Sequence, residues 1–125
     1  MSRALLDTHA LLWWLRDDAA LSSSARELIA DPETEPLASS VSVWEIAIKS
    51  ALGKLEVHDD LLDAIADDGF GWLPVSVEHA WAVRKLPHHH GDPFDRLLIA
   101  QALAEGVPVV SIDAQLDAYG IERVW

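Results

Sequence analysis

Two short apolar runs, ALLD at 4–7 and VPVVSID at 107–113, end on an acid and give way at once to a helical pattern. That hand-over constrains the fold more than anything else in the chain. A strand that leads straight into a helix, with no two-residue hairpin signal after any strand candidate, builds parallel pairs joined by crossover helices. The runs are apolar rather than alternating, which suits strands covered on both faces. The expectation is a three-layer α/β/α fold with a central, mainly parallel sheet.

The rest of the chain follows the same alternation. THALLWWL after Asp7 reads as a buried helix. Ser24 and Glu27 have capping-box spacing and predict a helix over 24–31, closed by Pro32. PLASS reads as a second strand, and SVSVWEIAIKSALGKL as a helix with an apolar stripe of Val41, Trp44, Ile48, Ala51 and Leu55, stopped at Gly53. Asp59 or Asp60 is expected to cap a helix through Leu61, Leu62, Ile65 and Ala66, and WLPVS is the third strand candidate. Ser76 opens a helix over VEHAWAVRKL, and Pro87, three histidines and Gly91 form a loop. Asp92 as N-cap with Pro93 in the first helical position starts a helix that runs to Gly106. VPVVSI is a β-branched strand, DAQLDAYG a short helix and IERVW a closing strand.

A length of 125 residues fits one domain over 1–125. Half the residues are apolar and 24% are charged, the balance of a globular protein. The apolar runs fall short of the roughly 20 residues that cross a bilayer, and the N-terminus lacks a signal-peptide pattern, so a cytoplasmic location is expected. The absence of cysteine excludes disulfides, thiolate nucleophiles and cysteine zinc sites. A net charge of −12 disfavours general binding to phosphates. Bound cations that offset the acids, or a basic partner that covers them, would resolve this.

The candidate chemistry lies in Asp7, Glu45, Asp95 and Asp113. Each has a structural alternative. Asp7 and Asp113 are placed to cap helices, Glu45 stands three residues after Ser42 and four before Lys49, and Asp95 stands in the first turn after Asp92. Capping, however, does not predict a cluster. In a parallel α/β sheet the carboxyl ends of strands and the N-termini of the following helices share one edge; Glu45 and Asp95 lie in first helical turns expected there, and Asp7 and Asp113 share one crevice if their two strands are neighbours. Asp95 is the most informative, because Leu98, Ile99 and Ala102 put it on an apolar helix face where a carboxylate needs a compensating charge or hydrogen bonds. Oxygen ligands suit Mg²⁺ or Mn²⁺, ions that orient a water, lower its pKa and stabilise charge on an attacked phosphate. The residue types alone equally allow a phosphatase or an Mg²⁺-dependent phosphoacceptor domain.

Three blocks, LLDTHALLWWL, VSVWEIAIKSALGKL and HGDPFDRLLIAQALAEGVPVVSIDAQLDAYGI, in that order and over most of the chain, resemble the PIN domain, specifically ribonucleases of the VapC toxin type. The resemblance implies a Rossmann-like PIN fold, Mg²⁺ or Mn²⁺ dependence, and endoribonuclease cleavage of single-stranded RNA that leaves a 5′-phosphate and a 3′-hydroxyl. It implies that Asp7, Glu45, Asp95 and Asp113 are the catalytic and metal-binding acids, with Thr8 and Ser111 as polar residues beside them, Asp113 acting directly or through water. A cognate antitoxin is the expected partner, and a homodimer the expected assembly.

Asp92 is read as an N-cap rather than as the second acid of DPFD. His88, His89 and His90 are read as solvated loop, since adjacent residues do not easily all face one ion, although one of them could approach the substrate. The six tryptophans are read as core or dimer packing rather than as base-stacking platforms. Arg16, Lys49, Lys54, Arg84, Lys85 and Arg96 are the candidates for phosphate contact, with Arg96 nearest the site. Two rivals stand beside the nuclease: a phosphoacceptor domain, which needs a lysine after a late strand whereas none follows Lys85, and a metal-binding module of the same fold without catalysis.

Overall fold

The computed structural model describes residues 2–125. Five strands, β1 (Ser2–Leu6), β2 (Thr34–Ser39), β3 (Gly71–Leu73), β4 (Val109–Val110) and β5 (Arg123–Val124), pair in the order β3-β2-β1-β4-β5, every pair parallel. The helices are α1 (Thr8–Leu15), α2 (Ser23–Ala30), α3 (Ser40–Ala51), α4 (Leu61–Asp67), α5 (Val77–Ala82) and α6 (Pro93–Glu105). Short 3-10 turns cover Val83–Lys85 and Ala114–Tyr119, the second where a short helix is expected. Among the described residues, no helix is long and apolar enough to cross a membrane.

The strands are buried on both faces because their successive side chains feed opposite cores. Ala4, Leu6, Ala38 and Val110 pack with Ala10 and Leu11 of α1, Ala25 and Ile29 of α2 and Ile65 of α4. Leu5, Leu37 and Val109 pack on the other side with Val41 of α3 and Leu98, Ile99 and Ala102 of α6. These two cores form the three layers, with β1 central and β2 and β4 on its two sides.

Local chemistry sets most boundaries, with several departures from the sequence expectation, among them that Ser39 rather than Ser42 caps α3 and that the helix opened by Ser76 ends at Ala82. The α2 cap is Ser22, which accepts from the Ala25 N–H at 3.1 Å, so Ser24 lies inside the helix and the proposed box with Glu27 does not form. Asp60 precedes α4 without a side-chain cap bond. The buried face of α3 is Val41, Ser42, Glu45 and Ile46, while Trp44 and Ala51 of the expected stripe are exposed. A hydrophobic count misses this face because half of it is polar. Of the tryptophans, Trp13, Trp14 and Trp125 pack against the first core, whereas Trp44, Trp72 and Trp81 are exposed.

Candidate active site

The strand order makes the site. Because β1 and β4 are neighbours, in register at Leu6 and Val110, Asp7 and Ser111 leave the sheet side by side at its carboxyl edge. Ser111, fully buried, lies between the two strand-end acids: its hydroxyl accepts from the Asp113 N–H at 3.0 Å and is near enough to the Asp7 carboxylate to pull its pKa down. Asp7 also caps α1, its Oδ1 accepting from the Ala10 N–H at 2.9 Å. Burial pushes the Asp7 carboxyl above its ordinary range, against the pull of Ser111, the Ala10 N–H and His9, while the charge of Glu45 adds to the rise.

Glu45 is only 4% exposed. Thr8, the first residue of α1, donates its hydroxyl to Glu45 Oε1 at 2.6 Å and lies 3.0 Å from the Ser42 hydroxyl. Lys49, one turn along α3, donates to Glu45 Oε2 at 2.6 Å. The Glu45 carboxylate holds the Lys49 ammonium above its ordinary range, with smaller help from Asp92 and Asp95. Lys49 is thus a cationic side chain that senses the acidic group as a whole.

Asp95 stands at the open end of the buried α6 face, with Leu98, Ile99 and Ala102 beneath it. Burial is the largest cause that pushes its carboxyl up to about 7, followed by repulsion from Asp92, with further repulsion from Asp7 and Glu45 and an opposing pull from His90. Asp92 takes the expected N-cap, its Oδ1 accepting from the Phe94 and Asp95 N–H groups at 2.8 and 3.2 Å. Asp113 Oδ1 accepts from the Gln115 N–H at 2.9 Å, which leaves Oδ2 toward the site.

Two expectations change. His90 is not solvated loop: its Nε2 lies 2.8 Å from Asp113 Oδ2 and 3.2 Å from Asp95 Oδ2. These three side chains present ligand-type atoms all within 4.8 Å of one another. Adjacent histidines do not all face one ion, but one of three does face the acids. Arg96, expected beside the substrate, is buried and turned to the loop before α6. Its guanidinium donates to the carbonyls of Val83, Leu86 and Pro87 and to the Tyr119 hydroxyl. It shapes the loop that carries His90 rather than meeting a phosphate.

The donor set fits a hard divalent cation. Burial first, then repulsion from Asp92, Asp7 and Glu45, pushes the Asp95 carboxyl up to about 7, and an incoming cation would relieve that repulsion. A family model described as "PIN domain" matches residues 4–122. The chain is a PIN domain. Over its whole length this PIN domain is 27% identical, across 139 aligned residues and 100% of each chain, to Ribonuclease VapC22 of Mycobacterium tuberculosis. Its fold is similar to that of VapBC2 from Rickettsia felis bound to a DNA fragment from their promoter, with a TM-score of 0.70 at 14% identity over 97% of this chain and 96% of that one. It is also similar to DNA-bound VapBC from Salmonella typhimurium, with a TM-score of 0.70 at 15% identity over 98% and 97%.

Proposed function

We propose that this PIN domain is a toxin endoribonuclease, dependent on Mg²⁺ or Mn²⁺, that hydrolyses phosphodiester bonds of single-stranded or looped RNA and is held in check by a cognate antitoxin. The observation that supports this reading best is Asp95, which is driven to about 7 by burial and by the charges of Asp92, Asp7 and Glu45 and lies with Asp113 and His90 in one group of ligand atoms. The full-length relationship to a named ribonuclease supports the reaction, and the likeness to VapBC complexes supports the antitoxin. A net charge of −12 suits a basic partner segment and bound cations. Exposed Val77 and Trp81 on α5 offer apolar surface for the proposed homodimer. A cytoplasmic location is part of the same proposal.

Asp7, Glu45, Asp95 and Asp113 would hold the cation, which supplies water activation and charge stabilisation at the phosphate when bound. The chain's own residues do the rest. Thr8 and Lys49 fix both oxygens of Glu45, the Ala10 N–H fixes Asp7, and Ser111 fixes the backbone of Asp113. Asp95 sheds its proton to join the set. Lys49, partly exposed and strongly cationic, is the side chain best placed to draw a phosphate toward the acids.

The test is incubation of the purified protein with a pool of single-stranded RNAs in Mn²⁺ or in chelator, with Asp7→Asn alongside. Cleavage only with Mn²⁺, lost in the variant, is expected. Cleavage in chelator, or unchanged in Asp7→Asn, removes the reading. Mn²⁺ binding without cleavage of any RNA leaves a silent metal-binding module.

A further inference from the structure

His90 is built into the site by contacts that the acids alone do not require. Its backbone N–H and that of His89 donate to the Tyr119 hydroxyl at 2.8 and 3.1 Å. Arg96 donates to the same hydroxyl at 3.3 Å and to three loop carbonyls, so the segment before α6 is pinned from below. The His90 side chain is only 14% exposed.

The ring's hydrogen bonds settle which nitrogen carries the proton. The Asp92 backbone N–H donates to His90 Nδ1 at 3.1 Å. An N–H donor requires a lone pair on its acceptor, so Nδ1 is bare and the proton of the neutral ring sits on Nε2. Nε2 donates to Asp113 Oδ2 at 2.8 Å, and Asp95 Oδ2 lies 3.2 Å away without a hydrogen bond to it. Coordination of a cation through Nε2 would move that proton to Nδ1, where it would oppose the Asp92 N–H. The loop conformation therefore selects a donor.

We infer that His90 is a positioning residue, whose Nε2–H holds Asp113 at the end of β4 beside Asp95 of α6, and is not a ligand to the cation. The inference rests on the metal-dependent nuclease reading. Asp92 serves both ends of the device: its carboxylate caps α6 while its amide sets the tautomer of the ring that bridges α6 to the sheet. The clamp thus fixes Asp113 by a hydrogen bond and sets the ring against Asp95 from a different element. Partners that orient ligating groups in this way change metal affinity by about 10- to 100-fold when removed.

The test uses the intact protein labelled with ¹⁵N in its histidine rings and titrated with Mg²⁺ alone. The ring spectra should show Nε2–H without metal and the same tautomer at saturation. A proton moved to Nδ1, with Nε2 taken up by the ion, overturns the clamp. In parallel, Mn²⁺ affinity is measured by calorimetry for His90→Gln, whose amide nitrogen reaches the same position, and for His90→Ala. The clamp predicts that the glutamine variant stays within about threefold of wild type while the alanine variant loses about tenfold or more. Equal losses in both identify a nitrogen ligand, and unchanged or tighter binding by His90→Ala identifies a ring that merely fills the cation's place; either result overturns the inference. A wild-type protein that binds neither ion overturns the nuclease reading together with the clamp, whereas binding with the other tautomer overturns the clamp alone.

Discussion

Asp95→Asn should make the metal-free protein more stable. A carboxyl held at about 7 rather than 3.8 binds its proton more tightly in the folded state. At about 1.4 kcal/mol for each pH unit, ionising it in the fold costs about 4 kcal/mol. Its side chain is 25% exposed, so water and local relaxation reduce this, and about 2 kcal/mol is the expected gain at roughly pH 8. The direction follows from proton linkage. With the folded value raised, the contribution of Asp95 to stability is fully present below 3.8 and is lost as pH climbs from there through about 7. The advantage of Asp95→Asn should therefore grow between about pH 5 and pH 8. The substituted amide still offers an oxygen to His90. Urea unfolding in chelator at both pH values measures the difference, and repetition with Mn²⁺ should favour wild type, which alone gains the full binding energy. A variant less stable than wild type at the higher pH, or equally stabilised by Mn²⁺, would refute the picture of crowded carboxylates awaiting a cation.

Thr8→Val removes the hydroxyl that donates to the buried Glu45 carboxylate and should cost about 2 kcal/mol of stability; thermal unfolding checks it, and an unchanged midpoint would show that the bond contributes nothing. Arg96→Ala unties four acceptors in the Val83–Pro87 segment and at Tyr119, so a loss of about 3 kcal/mol and faster proteolysis around residues 86–91 are expected. A phosphate-contact role would instead raise KM and leave the unfolding midpoint in place. Lys49→Gln should weaken RNA binding and flatten its salt dependence, read from KM across a salt series; identical curves would assign Lys49 to Glu45 alone.

The architecture is legible in the sequence because strand-to-helix hand-overs, Asp92-Pro93 and Gly106 act locally. Asp7 and Asp113 are placed together by one inference, that β1 and β4 are neighbours, which the pairing of Leu6 with Val110 bears out. What escapes a sequence reading is polar burial. The α3 helix turns Ser42 and Glu45 inward and leaves Trp44 57% exposed, because Thr8 and Lys49 supply the hydrogen bonds that make a buried carboxylate tolerable. Arg96 and His90 exchange their expected roles for the same reason. A guanidinium with carbonyls within reach is better satisfied inside the loop, and the ring with two carboxylates within reach is better satisfied at the site. Such choices depend on partners distant in sequence, such as Tyr119 for the 88–91 loop. One signal was available in advance: an acid on an otherwise apolar helix face, as at Asp95.

The central claim is that the acids act as one hydrolytic unit, and a double-mutant cycle on single-turnover RNA cleavage in Mn²⁺ tests it most directly. Asp7→Asn and Asp95→Asn should each slow cleavage by at least about 10³-fold, and the double variant should be no slower than the worse single one, because residues that act together lose their function together. Independent, multiplicative losses, or a single variant that cleaves at the wild-type rate, would contradict the account.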